Sequence, residues 1–378
     1  MLSVVLFVVG LVLMVAGAEF LVRGASRLAV MIGVSPLVVG LTVVAFGTSA
    51  PEFAVSFKAA LIDQSDLTLG NVIGSNIFNI LFILGISALV APLVVNSQLI
   101  RFDVPLVVIV SLIVLLMGSD GKYGRVDGLI LFTGLIVYTG GLIFASRRQG
   151  EAALDSEVVE LLHADESRSP LMRWLSNLLL VFAGLGMLGL GSNWLVESSI
   201  TFARLMNVSE VVIGLTVIAI GTSLPEVVTS VVATLKNQRD IAVGNVVGSN
   251  LFNLLGVLGL SSIVAPEGIR VGTQVLWFDL PVMVAVAVAA LPIFFTGGTI
   301  SRWEGGLLLA YYFAYTTYLI MQATDHGSSE SFRDAMIYFA IPLTALTLAV
   351  LMIHDIRRRV HNGKLTEGSG DAAPDDGD

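Results

Sequence analysis

Gly47-Thr48-Ser49-Ala50-Pro51-Glu52 and Gly221-Thr222-Ser223-Leu224-Pro225-Glu226 are two copies of one motif. They lie at the centres of residues 33–92 and 207–266, which align without a gap at an offset of 174, with 33 of 60 positions identical. Each glutamate falls in the middle of a membrane-length apolar run. An ionisable side chain at membrane depth costs roughly 2.5–3.5 kcal/mol on insertion scales, so by default it marks a functional site. Two of them in equivalent places strengthen that reading.

The surrounding chain has 378 residues, 55% hydrophobic and 13% charged. Soluble domains run near a quarter charged, so this composition describes an all-α polytopic membrane protein. Apolar runs of sufficient length predict eleven spans, at about 2–22, 35–62, 68–90, 102–118, 124–145, 172–194, 209–234, 240–264, 277–296, 303–322 and 335–353. The first lacks a basic leader and reads as a retained span. The absence of cysteine excludes disulfides, thiolate metal sites and cysteine nucleophiles. His163, His326, His354 and His361 lie in loops or the tail without metal-ligand spacing. The net charge is −9, with the acid concentrated in 151–166 and 371–378, both read as solvated ends. The expected partners are the lipid bilayer and ions. No nucleic acid and no cofactor is expected.

The duplication extends beyond the sixty residues. Arg101-Phe102-Asp103-Val104-Pro105 returns as Trp277-Phe278-Asp279-Leu280-Pro281, and Gly17-Ala18-Glu19 more loosely as Gly191-Ser192-Asn193. Each repeat therefore holds five spans, over 1–145 and 172–322, joined by an acidic linker at 146–171 that is too short for a folded domain. Because five is odd, the second repeat enters the membrane from the opposite side. Inverted repeats of this kind place their site at the midplane between the halves. The expected fold is thus two inverted five-helix repeats forming a ten-helix core. An eleventh transmembrane helix and an acidic cytoplasmic tail follow over 323–378. With the N-terminus outside, fourteen of the twenty Lys and Arg residues fall on the cytoplasmic side, which fixes the expected orientation.

Within each motif, a helix running through Gly47–Pro51 loses a backbone bond at the proline. Two half-helices are expected, with Pro51 in the first turn of the second and carbonyls freed near Ala45 and Phe46. Non-helical backbone at this depth is tolerated where it faces a cavity or an ion. Thr48 and Ser49 add hydroxyls and Glu52 a carboxylate; Ala219, Thr222, Ser223 and Glu226 supply the same set from the second copy. A second element, Gly70-Asn71-Val72-Ile73-Gly74-Ser75-Asn76-Ile77-Phe78-Asn79, recurs as Gly244-Asn245-Val246-Val247-Gly248-Ser249-Asn250-Leu251-Phe252-Asn253. Its Asn71, Ser75 and Asn79 share one helix face, as do Asn245, Ser249 and Asn253. Gly70 and Gly74 form a small-xxx-small pair suited to close backbone approach. The combined donors are carboxylates, hydroxyls, amide oxygens and carbonyls, a hard-oxygen set suited to alkali and alkaline-earth cations. Calcium, which accepts irregular geometry, fits better than magnesium. Two glutamates balance one divalent or two monovalent cations, so calcium and sodium can compete for the same charge.

These motifs, in order and in both halves, resemble the alpha-repeats of the calcium/cation antiporter superfamily, in particular the prokaryotic sodium/calcium exchangers. The resemblance covers about 1–322. It implies a ten-helix core that exports calcium against inward sodium, with spans one and six sliding past the core to alternate access. It also implies ion ligands at Ala45, Thr48, Ser49, Glu52, Ser75 and Asn79, and at Ala219, Thr222, Ser223, Glu226, Ser249 and Asn253. In many members one of the two final stripe positions is an aspartate. Here both are amides, so the site has two formal negative charges and the resemblance leaves the driving cation and stoichiometry open.

Proton-for-calcium exchange at the same site and a passive cation channel are the rival readings. An enzyme is not expected, since no His, Cys or Lys accompanies Thr48, Ser49 and Glu52 at depth. The remaining border charges read as structural. Asp103 and Asp279 are expected to cap helices, Glu19 to pair with Arg23, and Asp127 and Glu304 to serve helix starts.

Overall fold

The computed structural model describes residues 2–149, 169–206, 219–324, 329–345 and 347. The chain is helical throughout this range, apart from two short antiparallel β pairs. The helices are α1 (Leu2–Ile32), α2 (Pro36–Thr48), α3 (Ala50–Leu61), α4 (Ser65–Val90), α5 (Leu99–Asp120), α6 (Arg125–Gln149) and α7 (Pro170–Leu205). After the short turn α8 (Ala219–Gly221) come α9 (Leu224–Leu235), α10 (Arg239–Val264), α11 (Val275–Phe295), α12 (Arg302–Ala323) and α13 (Ser329–Ala335). Among the described residues seven helices are long and apolar enough to cross a membrane, or eight if the bent pair α2–α3 is one span. The expected count was eleven. The helix α12 has 22 residues, but its four tyrosines dilute its hydropathy. The seventh expected span begins within 207–218, outside the described residues. Residues 150–168 of the linker, the acidic tail, the four histidines and the end of the eleventh span also lie outside them, while the linker's two ends are helical in α6 and α7.

Two helices exceed their expected spans. The first runs 31 residues to Ile32 rather than ending near 22, and α7 runs 36 residues to Leu205 rather than ending near 194. At 1.5 Å per residue these are roughly 46 and 54 Å long, well beyond a hydrocarbon core of about 30 Å. They pack antiparallel on small residues at seven-residue spacing. A Cβ at Gly10 would lie 2.8 Å from the Gly191 carbonyl oxygen, one at Gly17 2.8 Å from that of Gly184, and one at Gly24 2.9 Å from that of Asn177. Nothing larger than glycine lets the two backbones approach this closely. Gly184→Val is therefore expected to destabilise the protein by about 1–3 kcal/mol or more through overpacking. A lower thermal midpoint of the purified protein would show this; an unchanged midpoint would contradict the packing.

The contacts between halves come in reciprocal pairs. Gly10 and Gly17 correspond to Gly184 and Gly191 at the offset of 174, so the contact of Gly10 with Gly191 is the counterpart of Gly184 with Gly17. In the same way Gly128 meets Gly259 and Gly305 meets Gly85, which sets α6 on α10 and α12 on α4. The strands β1 (Leu93–Val94), β2 (Lys122–Tyr123), β3 (Ile269–Arg270) and β4 (Thr299–Ile300) pair β1 with β4 and β2 with β3. Each pair joins one half to the other, so the halves interlock.

The centre of the molecule is α4 and α10. Their apolar windows are 78% and 100% buried, whereas the remaining spans are buried over 22–44% and leave apolar faces exposed. A helix buried all round needs a polar stripe to have partners inside the protein. That requirement brings the stripe to the motif glutamates.

Two border expectations changed. Asp103 and Asp279 have helical backbone and cap nothing. Wide turns over Leu99–Asp103 and Val275–Asp279 carry the helix into Pro105 and Pro281 without a new start. Asp103 is fully buried and accepts from Tyr138 Oη at 3.0 Å and Gln98 Nε2 at 3.2 Å. The others hold. Glu304 completes a capping box with Ser301, Asp127 accepts from the Gly124 N–H at 2.8 Å, and Glu19 pairs with Arg23.

Candidate functional site

The first motif breaks as expected. The helices α2 and α3 meet at 50°, Ser49 leaves helical geometry at φ −81°, ψ 9°, and Pro51 sits in the first turn of α3. Ser223 breaks the second motif in the same way at φ −89°, ψ 5°, with Pro225 in the first turn of α9. Proline is harmless there because the first-turn N–H groups have no intrahelical acceptor. Both breaks bring their glutamates to the same place: Glu52 and Glu226 are each 1% exposed.

The two carboxylates are held by opposite repeats. Ser49 Oγ donates to Glu226 Oε1 at 2.7 Å, and Ser223 Oγ donates to Glu52 Oε1 at 2.6 Å. Ser75 Oγ lies 3.3 Å from Ser223 Oγ. Thr48 Oγ1 reaches Asn245 Oδ1 at 3.0 Å, and Thr222 Oγ1 reaches Asn71 Oδ1 at 3.4 Å. Every one of these bonds crosses from one repeat to the other.

Several buried polar atoms of the motif and stripe residues have no protein partner. They are Glu52 Oε2, Glu226 Oε2, Ser249 Oγ and both ends of the Asn79 and Asn253 amides. Leaving a buried polar group unpaired costs about 1–3 kcal/mol, and more for a charge. Most such groups in folded proteins are satisfied, so the unpaired oxygen on each buried glutamate calls for a partner that accepts lone pairs. Ala45 differs from the rest, because its carbonyl accepts the Ser49 N–H at 3.0 Å and lies 3.4 Å from Thr48 Oγ1. It is therefore not freed as expected, although a carbonyl oxygen with one accepted bond keeps a second lone pair. Ala219 opens the turn α8 ahead of the second break. The structure thus brings Thr48, Ser49, Glu52 and Ser75 together with Thr222, Ser223 and Glu226 through bonds between the repeats and through Asn71 and Asn245.

Three features escaped the sequence reading. The crossed Ser–Glu bonds are one. Wide helical turns over Asn79–Ile83 and Phe252–Val257, which start at or just before the terminal asparagines of the stripes, are another; such turns recur at functional sites. The third is Ser56 and Ser230, which accept from Asn71 Nδ2 at 2.8 Å and Asn245 Nδ2 at 3.0 Å. These serines are identical at the offset of 174 and lie one turn after each glutamate, a signal that was available. The close approach expected of Gly70 and Gly74 is found instead at their counterparts. A Cβ at Gly248 would lie 2.5 Å from the Leu41 carbonyl oxygen, whereas Gly70 and Gly74 meet nothing among the described residues. The segment that the repeat would set against them, 207–218, lies outside those residues.

A crevice of about 440 Å³ reaches this centre, lined by Phe46, Thr48 and Pro51 on one wall and Leu185 and Gly189 of α7 on the other. Among the described residues no three acidic or histidine side chains gather as a metal cluster. The two glutamates are thus the charged members of the set.

Known proteins carry the same architecture. The sodium-calcium exchanger NCX_Mj, in crystals soaked with 2.5 mM Na+ and 1 mM Sr2+, superposes with a TM-score of 0.71 at 29% identity, over 84% of this chain and 98% of that one. CaxA of Alkalimonas amylolytica is 37% identical over 319 residues, 83% of this chain and 98% of its own length. The sodium/calcium exchanger MaX1 of Methanosarcina acetivorans is 30% identical over 321 residues, 77% of this chain and 91% of its own. The sequence pattern described as sodium/calcium exchanger protein matches residues 2–144 and 176–321, both halves of the duplication. The chain is therefore a membrane-integral member of the sodium/calcium exchanger family, whose members are cation antiporters.

Proposed function

We propose that this protein exports calcium in exchange for sodium by alternating access. One site, built from both repeats, takes each ion in turn. Its ligands are Thr48, Ser49, Glu52, Ser75 and Asn79 with Thr222, Ser223, Glu226, Ser249 and Asn253, and the backbone at Ala45 and Ala219. The observation that carries this reading is the crossed pair of carboxylates. Each glutamate has one oxygen held by the other repeat's serine and one oxygen without a protein partner, inside a nearly fully buried centre. Such a pair costs least when a divalent cation, or two monovalent ones, neutralises it.

The proposed architecture is an inverted pair of five-helix repeats, 1–145 and 172–322, with the linker 146–171 in the cytoplasm. The N-terminus lies outside, and an eleventh helix with an acidic cytoplasmic tail follows over 323–378. The reciprocal contacts between halves support this arrangement. Alternating access is supported by an asymmetry between them: α1 packs along α9, whereas the crevice separates α7 from the break before α3. In the opposite facing state the two repeats would exchange these roles, with α1 and α7 sliding together as one glycine-packed unit.

The test uses the full chain in proteoliposomes. Calcium uptake should follow an outward sodium gradient and stop when sodium is equal on both sides. Uptake driven equally by a pH gradient without sodium would reassign the counter-ion to protons. Calcium flux with no counter-ion gradient, at channel rates, would overturn the antiport mechanism.

A further inference from the structure

Asn71 and Asn245 touch neither carboxylate, yet each joins three elements at the centre. Asn245 Nδ2 lies 3.4 Å from the Glu226 carbonyl oxygen and 3.0 Å from Ser230 Oγ, while its Oδ1 lies 3.0 Å from Thr48 Oγ1. Asn71 repeats this with the Glu52 carbonyl at 3.0 Å, Ser56 Oγ at 2.8 Å and Thr222 Oγ1 at 3.4 Å. The direction of each amide follows from its neighbours. A main-chain carbonyl can only accept, so the amide nitrogen must face it, and Oδ1 is then turned to the threonine. An amide oxygen can also only accept, so the threonine hydroxyl is the donor. For Thr48 the other near groups, the Val44 carbonyl at 3.0 Å and the Ala45 carbonyl at 3.4 Å, are likewise pure acceptors that share the single proton with Asn245. The hydroxyl proton is drawn away by these groups, and the lone pairs of Thr48 Oγ1 remain for an electron-poor ligand.

We propose that Asn71 and Asn245 are positioning residues for cation binding. Each fastens the main chain at its own repeat's glutamate to the other repeat's threonine, and so orients that threonine's oxygen as an acceptor toward the ion. The tie runs between repeats in both directions, alongside the crossed serine–carboxylate bonds. The inference rests on the cation-site reading above.

The experiment is a double-mutant cycle on sodium-driven calcium uptake by the full chain in proteoliposomes. Asn245→Leu keeps the branched heavy-atom shape, with a somewhat larger volume, and removes both ends of the tie. It should raise half-saturating calcium roughly tenfold, as expected for one lost buried interaction of about 1.4 kcal/mol, with the maximal rate retained to about a factor of two. In a Thr48→Val background the same substitution should have a much smaller effect, because the two residues act as a unit. With Thr48→Ser, which keeps the hydroxyl, the full effect should return. If Asn245→Leu is not recovered folded, Asn71→Leu with Thr222→Val makes the same comparison at the less buried copy. An unchanged half-saturation with a lower maximal rate, or fully multiplicative effects in the cycle, would overturn the proposal. Glu52→Gln and Glu226→Gln separate the two levels. Their failure to abolish uptake would remove the site reading itself, whereas their success with an insensitive cycle would remove only the positioning role.

Discussion

Glu52→Gln or Glu226→Gln is expected to abolish sodium-driven calcium uptake in proteoliposomes while leaving the protein as stable as the parent, or more so. Glutamine keeps the side-chain volume and the oxygen that accepts from Ser223 or Ser49, so the crossed hydrogen bonds survive. What disappears is one of two charges opposing a doubly charged ion in a nearly fully buried centre. Removing one partner of a buried ionic interaction costs about 3–5 kcal/mol, roughly two to four orders of magnitude in binding. Stability should move the other way. Without ions, each glutamate carries a buried oxygen with no protein partner, and neutralising it relieves that penalty. The measurements are uptake and the thermal midpoint, with and without calcium. Calcium should raise the midpoint of the parent by mass action and not that of the variants. Retained uptake in both variants would refute the site.

Cross-linking α1 to α9 is expected to stop transport, and cross-linking α1 to α7 is expected to spare it. Glu19 of α1 meets Lys236, at the end of α9, at 3.1 Å. The equivalent positions in the other half are Asn193 and Ile62, so this ion pair has no counterpart there, and under the proposed mechanism it would form in one of the two facing states. Phe7 of α1 and Phe202 of α7 meet with their rings tilted by 56° at a centroid distance of 5.9 Å within the long glycine-packed pair. The chain contains no cysteine, so introduced pairs react without background. A short bis-methanethiosulfonate reagent, which forms a disulfide at each cysteine with loss of sulfinate, should block uptake almost completely on Glu19→Cys/Lys236→Cys, with recovery on reduction of the linker. The same reagent on Phe7→Cys/Phe202→Cys should leave uptake near its starting rate. Equal inhibition of both pairs would count against α1 and α7 moving as a unit. Full activity of the cross-linked α1–α9 pair would refute sliding.

Much of the site could be read before any coordinates. Glu52 and Glu226 declare themselves because charge at membrane depth is expensive, and Pro51 and Pro225 declare the breaks because proline has no N–H to give. Asn79 and Asn253 follow from a spacing of four, which keeps one helix face. Asp103 was misread for the complementary reason. Its place before a proline looks like a cap, but whether a helix starts at a proline or continues through a widened turn depends on what surrounds the carboxylate. Here Tyr138, from another helix, takes it up. The lengths of α1 and α7 were underestimated because the apolar run ends where lipid ends, whereas the helix continues wherever a partner helix covers it.

A repeat offset and helical periodicity are properties of one strand of residues, and they are enough to establish the duplication, the breaks and the set of oxygen donors. Which serine meets which glutamate is a property of two backbones brought together. Ser49 could have served Glu52, three residues away. Instead it donates to Glu226, because the break turns the serine off its own helix and the interlocked glycine contacts carry the other half's carboxylate to it. The same crossing makes Asn71 and Asn245 ties between halves rather than members of a stripe. Local chemistry selects the groups, and the close approach of two separately encoded halves selects the pairs.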